Sequence, residues 1–291
     1  MLPHFSIVSE DLRVEISQRG AELQRIVTPD GHDLLWDGDP AFWTGRAPLL
    51  FPIVGELNEG HYRYAGRNYA MRKHGFARKS QFDVVEQRTD RVTLRLVDTP
   101  KTHDIYPFEF ILDVTHSIDG ATLSTEAVVT NTGTKTMPTS FGFHPALRWP
   151  LPFGGARADH KITFPQDEPA DIRRIDDDGL LLGPSSPTPV DGQVLLVDDA
   201  LFVDDAVIFD QLNSRSLRYG AAGYPIIRAD FPAMPLLGVW TKPGAGYVCI
   251  EPWQGHADPD GFTGDIRDKP GVILIQPGDE RRFAMSLTLE R

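Results

Sequence analysis

Leu123-Ser124-Thr125-Glu126-Ala127-Val128, closed by Asn131-Thr132-Gly133, alternates apolar and polar side chains and then stops on a turn signal. A period of two puts every second side chain on one face, the pattern of a strand with one buried side. Outward from there, Val92-Thr93-Leu94-Arg95-Leu96-Val97 alternates in the same way, and so does Phe283-Ala284-Met285-Ser286-Leu287-Thr288-Leu289 near the C-terminus. Val272-Ile273-Leu274-Ile275 is a continuous apolar run halted by Pro277-Gly278-Asp279, which predicts a buried strand followed by a turn. No long segment sets apolar residues at helical spacing behind a cap. The 24 prolines and 26 glycines punctuate the chain every several residues. Many short strands with frequent turns predict an all-β chain, a large antiparallel β-sandwich with few short helices.

At 291 residues, 41% hydrophobic and 24% charged, the chain is long enough for a sizeable core and has an ordinary globular composition. The loosest stretch, 164–192, contains Asp176-Asp177-Asp178-Gly179 and Gly183-Pro184-Ser185-Ser186-Pro187. It reads as a long surface excursion rather than a linker, so one domain over 1–291 is expected. The net charge of −12 repels nucleic-acid phosphates and anionic lipid headgroups, so neither nucleic acid nor membrane is expected as a partner. The chain opens on no charged-then-apolar leader and has no run approaching a membrane span, which points to a cytoplasmic protein. The one cysteine, Cys249, lies in Val-Cys-Ile and reads as a buried small apolar residue; Glu251 beside it is a poor activator of a thiol nucleophile.

Three separated segments each set a titratable residue among glycine, proline and aromatics: Lys73-His74-Gly75-Phe76-Ala77-Arg78, Phe141-Gly142-Phe143-His144-Pro145-Ala146 and Cys249-Ile250-Glu251-Pro252-Trp253. Two imidazoles and a carboxylate can carry general acid–base chemistry near neutral pH. Read as extended chain, residues 74, 76 and 78 share a face, so His74 and Arg78 would point into one cleft; each can equally be an exposed polar residue. Aromatic neighbours would desolvate His144, which is otherwise a core histidine with a satisfied hydrogen bond. Glu251 ends an apolar run, where a carboxylate is costly unless it is functional or ion-paired. Trp253 and Gln254 suit a sugar, with an indole face for C–H patches and an amide for hydroxyls. Arg46, in Thr44-Gly45-Arg46-Ala47-Pro48, either binds substrate oxygens or is a surface charge. No closely spaced ligand pair such as His-Glu-x-x-His occurs, so no metal is expected. Rossmann and phosphate-loop glycine patterns and the Gly-x-Ser-x-Gly elbow are absent as well.

Taken together, His-Gly-Phe-Ala-Arg at 74–78, Phe-Gly-Phe-His-Pro at 141–145 and Ile-Glu-Pro-Trp at 250–253 resemble the aldose 1-epimerase (galactose mutarotase-like) family, on its LacX-like branch. Ala47-Pro48-Leu49-Leu50-Phe51-Pro52 and Leu274-Ile275-Gln276-Pro277-Gly278 fit the same pattern, and the similarity runs from Gly20-Ala21-Glu22-Leu23 to the C-terminus. The resemblance implies a many-stranded sandwich with its site in a cleft on one sheet. It implies a cofactor-independent isomerase that interconverts the α and β anomers of a sugar. Glu251 would be the general base, His144 the general acid and His74 an orienting or acid-sharing partner, with Arg46 and Arg78 on hydroxyls or a phosphate. Galactose mutarotases proper carry an Asp-His pair whose Asp binds sugar; here that place reads Asp204-Asp205-Ala206-Val207, and either Asp can serve. Two further readings stand beside this one: a hexose-6-phosphate mutarotase, and a carbohydrate-binding sandwich without catalysis.

Overall fold

The alternating segments form the centre of a nine-stranded antiparallel sheet. In the computed structural model, which describes residues 4–291, Thr122–Asn131 pairs on one side with Phe110–Asp119 and on the other with Glu280–Glu290. Arg91–Val97 and Asp83–Gln87 extend the sheet beyond Phe110–Asp119, and Ile226–Asp230, Ser216–Ala221, His160–Thr163 and Val194–Leu196 extend it beyond Glu280–Glu290. Every second residue of Phe110–Asp119 and Thr122–Asn131 is buried, so one face of this sheet closes the core.

The second sheet has the order Val207–Phe209, Leu236–Trp240, Tyr247–Gln254, Phe141–Phe143, Leu49–Leu50, with Ala146–Arg148 also paired to Tyr247–Gln254. Its strands do not alternate: Tyr247–Trp253 is buried throughout. One face packs on the large sheet, where Phe141 stacks on Phe283 at 4.9 Å, and the other is covered by loops. A strand buried on both faces appears in sequence as a continuous apolar run, and a carboxylate within it stands out.

Among the described residues, helix is confined to the turn Pro100–His103, capped by the Thr99 hydroxyl, and to short 3-10 turns. The run 272–275 departs from expectation. Ile273–Ile275 pairs with Met137–Thr139 in a two-stranded ribbon and leaves Leu274 41% exposed. The stretch 164–192 departs further. Its middle folds into a hairpin through the antiparallel bridges Ile172↔Ser186 and Ile175↔Leu181, and Ile172, Leu180 and Leu181 are buried. Among the described residues, no helix is long and apolar enough to cross a membrane.

Candidate active site

The 74–78 segment is built around a glycine. Gly75 has φ +69°, and a β-carbon there would overlap the carbonyl of Phe51, which accepts hydrogen bonds from the Phe76 and Ala77 N–H groups at 2.9 and 3.2 Å. His74 is also left-handed, at φ +66°, and is locked by a reciprocal pair: its N–H donates to the Gly55 carbonyl at 2.9 Å, and the Gly55 N–H donates to His74 Nδ1 at 3.0 Å. With its Nδ1 lone pair used in this way, a neutral His74 carries its proton on Nε2. Burial, followed by the charges of His144, Lys73 and Arg78, keeps its proton affinity well below the ordinary histidine value. The expected shared strand face is replaced by this turn and the 3-10 turn Ala77–Lys79. Phe76 consequently packs into the core against Phe51, while His74 and Arg78 both line one cavity.

His144 and Glu251 face each other for a reason of register. Gly142 pairs with Trp253 and Ala146 with Cys249, so one antiparallel register runs through Pro145 and sets His144 opposite Glu251. Pro145 has no N–H to donate, but its carbonyl accepts from the Ile250 N–H at 3.1 Å and holds the strands together. His144 Nε2 lies 3.1 Å from Glu251 Oε2, with the two side chains 8% and 2% exposed. Trp43 stacks on the imidazole at 4.9 Å, and His74 meets it edge-on at 5.8 Å. Burial pulls His144 down to about 3 and pushes the Glu251 carboxyl well above 4.5, so the buried pair holds one proton between its two members. Lys73 pulls Glu251 back toward the carboxylate, and Asp205 opposes that. Trp253 lies two residues along on the same face, with its ring seated where β-carbons on Gly142 and Gly238 would come within 2.7 and 2.6 Å of it. Its indole N–H, close enough to Glu251 to favour the carboxylate, has no hydrogen-bond partner of acceptable geometry.

The cavity over this pair measures about 220 Å³ and is lined by His74, Arg78, His144, Asp205, Glu251 and Trp253. Arg78 donates from Nη2 to the Lys73 carbonyl at 2.8 Å, and its Nε is buried without a partner. Asp205 of the Asp204/Asp205 alternative lines the wall; Asp204 does not. Arg46 and Gln254 stand elsewhere. Arg46 donates to the Gln24 carbonyl at 2.8 Å and packs beside Gly38. Gln254, one residue past Trp253, turns to the opposite face and donates to the Gly271 carbonyl at 2.7 Å. Sequence reasoning missed Trp43, Lys73, Trp240, Ile175 and Gly179, which also line the cavity. Lys73 and Trp43 stand beside singled-out motifs, and their aromatic and cationic character was the available signal; Ile175 and Gly179 left none.

Two other features bear on the chemistry. His144, Cys249 and Glu251 each bring one potential metal-ligand atom within 4.8 Å of the others. Burial pushes the Cys249 thiol well above its ordinary value and keeps it protonated, a poor ligand, and Glu251 is already engaged with His144. A larger cavity, about 490 Å³, is lined by Asn58, Arg63 and the ion-paired Asp258 and Lys269. Its His61 faces the Glu59 carbonyl at 3.1 Å rather than a carboxylate, whereas the smaller cavity holds a buried imidazole–carboxylate pair, and the chemistry singles out the smaller one.

The aldose 1-epimerase family model matches residues 3–287. Protein LacX, chromosomal, and Protein LacX, plasmid, both of Lactococcus lactis subsp. lactis, are each 34% identical over 292 residues, covering 97% of this chain and 97% of theirs. Among solved structures, a galactose mutarotase related enzyme from Lactobacillus acidophilus superposes with a TM-score of 0.90 at 29% identity, over 99% of this chain and 98% of its own. A galactose mutarotase-like protein from Lactobacillus casei ATCC 334 gives 0.92 at 28% identity, over 99% and 100%.

Proposed function

This chain belongs to the aldose 1-epimerase family, on its LacX-like branch, and from that premise we propose that it interconverts the α and β anomers of an aldose by acid–base ring opening and closure, without a cofactor. The observation that carries this reading is the buried His144–Glu251 pair, 3.1 Å apart at the floor of the cavity. Anomer exchange requires a proton to leave O1 and another to reach the ring oxygen O5. Both oxygens are bonded to C1, so the base and the acid must be neighbours.

In the form of the pair whose one proton lies on His144 and whose Glu251 is the carboxylate, the form that Lys73 favours, Glu251 takes the O1 proton as His144 delivers its proton to O5. The C1–O5 bond breaks and the C1–O1 bond becomes a carbonyl. Rotation about C1–C2 presents the other face of the aldehyde. O5 then attacks C1, its proton returns to His144, and Glu251 returns its proton to O1. The pair ends with the one proton it began with, so no reset step is needed. His74, with its proton fixed on Nε2, orients the sugar, and Arg78 and Asp205 bind hydroxyls. Acid–base assistance of this kind is worth roughly 10²–10⁴-fold, and pre-oriented hydrogen bonds add to it.

A specific observation supports the phosphorylated-aldose variant: Lys73 and Arg78 both line the cavity, and Arg78 retains an unpartnered Nε. Lys73 takes the place that the sequence reading gave to Arg46. Polarimetry, or exchange NMR where spontaneous exchange is slow, tests both forms. The expected result is accelerated equilibration of at least one free or phosphorylated aldose. Competition by inorganic phosphate would favour the phosphorylated substrate, and its absence the free sugar. Sugar binding with no acceleration of any aldose would leave the non-catalytic carbohydrate-binding reading and overturn the enzymatic one.

A further inference from the structure

The hairpin within 164–192 is fastened at three places, and each fastening bears on the proposed site. At one edge the Leu181 N–H donates to the Asp258 carbonyl at 2.8 Å, and the Asp260 N–H to the Leu181 carbonyl at 3.0 Å. At the other, Arg173 and Ile208 exchange backbone hydrogen bonds at 2.8 and 3.1 Å. The third fastening is a side chain. Arg174 reaches across to the 199–205 loop, donating from Nη1 to the Asp205 carbonyl at 2.8 Å and from Nη2 to the Leu201 carbonyl at 2.9 Å. The next residue along the hairpin, Ile175, lines the cavity, and so does Gly179 at its tip. The tip is ordered by the Asp176 carboxylate, which accepts from the Asp178 and Leu180 N–H groups at 3.0 and 2.9 Å.

Asp205 needs such support. Its φ is +61°, a left-handed conformation in a residue with a β-carbon, and its side chain is exposed to the cavity rather than packed. Its own Oδ1 accepts from the Ala206 N–H at 2.7 Å, which leaves Oδ2 for a ligand. The Asp205 carbonyl is held by Arg174 alone among the described hydrogen bonds.

We propose that Arg174 is a positioning residue: it fixes the Asp205 loop to the hairpin that walls the cavity, and so sets affinity for the sugar hydroxyls remote from C1 while taking no part in proton transfer. The inference rests on the aldose reading of the site. Loss of two charge-assisted hydrogen bonds to one loop converts to a weakening of about tenfold or more.

The test uses the full chain and two readouts: steady-state anomer exchange of the best aldose, and calorimetric binding of its 1,5-anhydro analogue, which has no O1 and cannot react. Arg174→Ala should raise both KM and the analogue's Kd about tenfold and leave kcat within about threefold. Arg174→Lys, keeping one cationic donor, should recover part of the affinity. Adding Asp205→Ala to Arg174→Ala should weaken binding by much less than the product of the two single effects, because both act on one contact. Unchanged KM and Kd, a fall confined to kcat, or fully multiplicative effects would overturn the proposal. If Arg174→Ala does not fold, Arg174→Lys and Arg174→Gln decide by the same criteria. If the wild type equilibrates no aldose, the enzymatic reading fails and the analogue's Kd alone decides this one; no binding of the analogue by the wild type overturns both.

Discussion

Gly75 and His74 carry two left-handed residues in succession, and the chain tolerates this because Gly55 and Phe51 bind both sides of the turn. A β-carbon at position 75 has nowhere to go. Gly75→Ala should cost at least about 2–3 kcal/mol in urea unfolding, and an unchanged midpoint would contradict this account of the turn. At the same scale, in the proposed reaction the His144–Glu251 pair sets the pH behaviour of catalysis. Its working form holds one proton. A second proton must go onto an imidazole held down to about 3, and removal of the one must ionise a carboxyl held well above 4.5. The kcat/KM profile should therefore hold its activity on acidification until just above pH 3, with no acid-side loss at the ordinary histidine value of 6.5. A fall in activity on acidification through 6.5 would contradict the one-proton pair. His74, His144 and Glu251 were legible because each is a polar residue in a run of glycine, proline and aromatics that such a residue has little reason to enter. Arg46 and Gln254 show the limit of that reading: a motif gives position along the chain, and one residue of strand alternation sends a side chain to the other face.

Strand Phe110–Asp119 contributes a buried histidine that the site does not use. His116 bonds to the Ala21 carbonyl and the Thr125 hydroxyl at 2.8 and 2.9 Å, tying the large sheet to the 17–23 turn, and burial pulls it down to about 4. Its folded affinity for a proton is below its unfolded one, so the unfolded chain takes up the proton first as pH falls. Stability from this group is complete above about 6.5 and declines down to about 4, by about 3 kcal/mol at most. Denaturant midpoints across that window should slope upward with pH, and His116→Gln should flatten the slope; an equal slope in both proteins would refute the assignment. Elements exposed on one face were legible because alternation is written directly in Leu123–Val128 and Phe283–Leu289. The hairpin 172–186 was not, because its bridges are few and its turn residues are those of any surface loop. The register that sets His144 opposite Glu251 depends on pairing between strands about a hundred residues apart, and no local pattern encodes it.

Across the whole molecule, two sheets share one apolar core that runs from Ile7 near one end of the chain to Leu289 near the other. The smaller sheet supplies Glu251 and Trp253 from one strand and His144 from the two-residue break between the strands paired with it, while loops supply His74, Arg78, Asp205 and the hairpin wall. In the proposed reaction this division puts the groups that transfer protons on the sheet and the groups that read the sugar on segments fixed by individual hydrogen bonds. The net charge of −12 says little about this site, whose lining includes Lys73 and Arg78 beside Asp205 and Glu251. The central claim is that the buried pair moves the protons. Its most direct test is anomer exchange by the purified wild type, Glu251→Gln and His144→Asn, with binding of a 1,5-anhydro sugar measured alongside. Each variant should lose roughly 10²–10⁴-fold in kcat while still binding the unreactive analogue. Exchange at the wild-type rate in either variant would contradict the account.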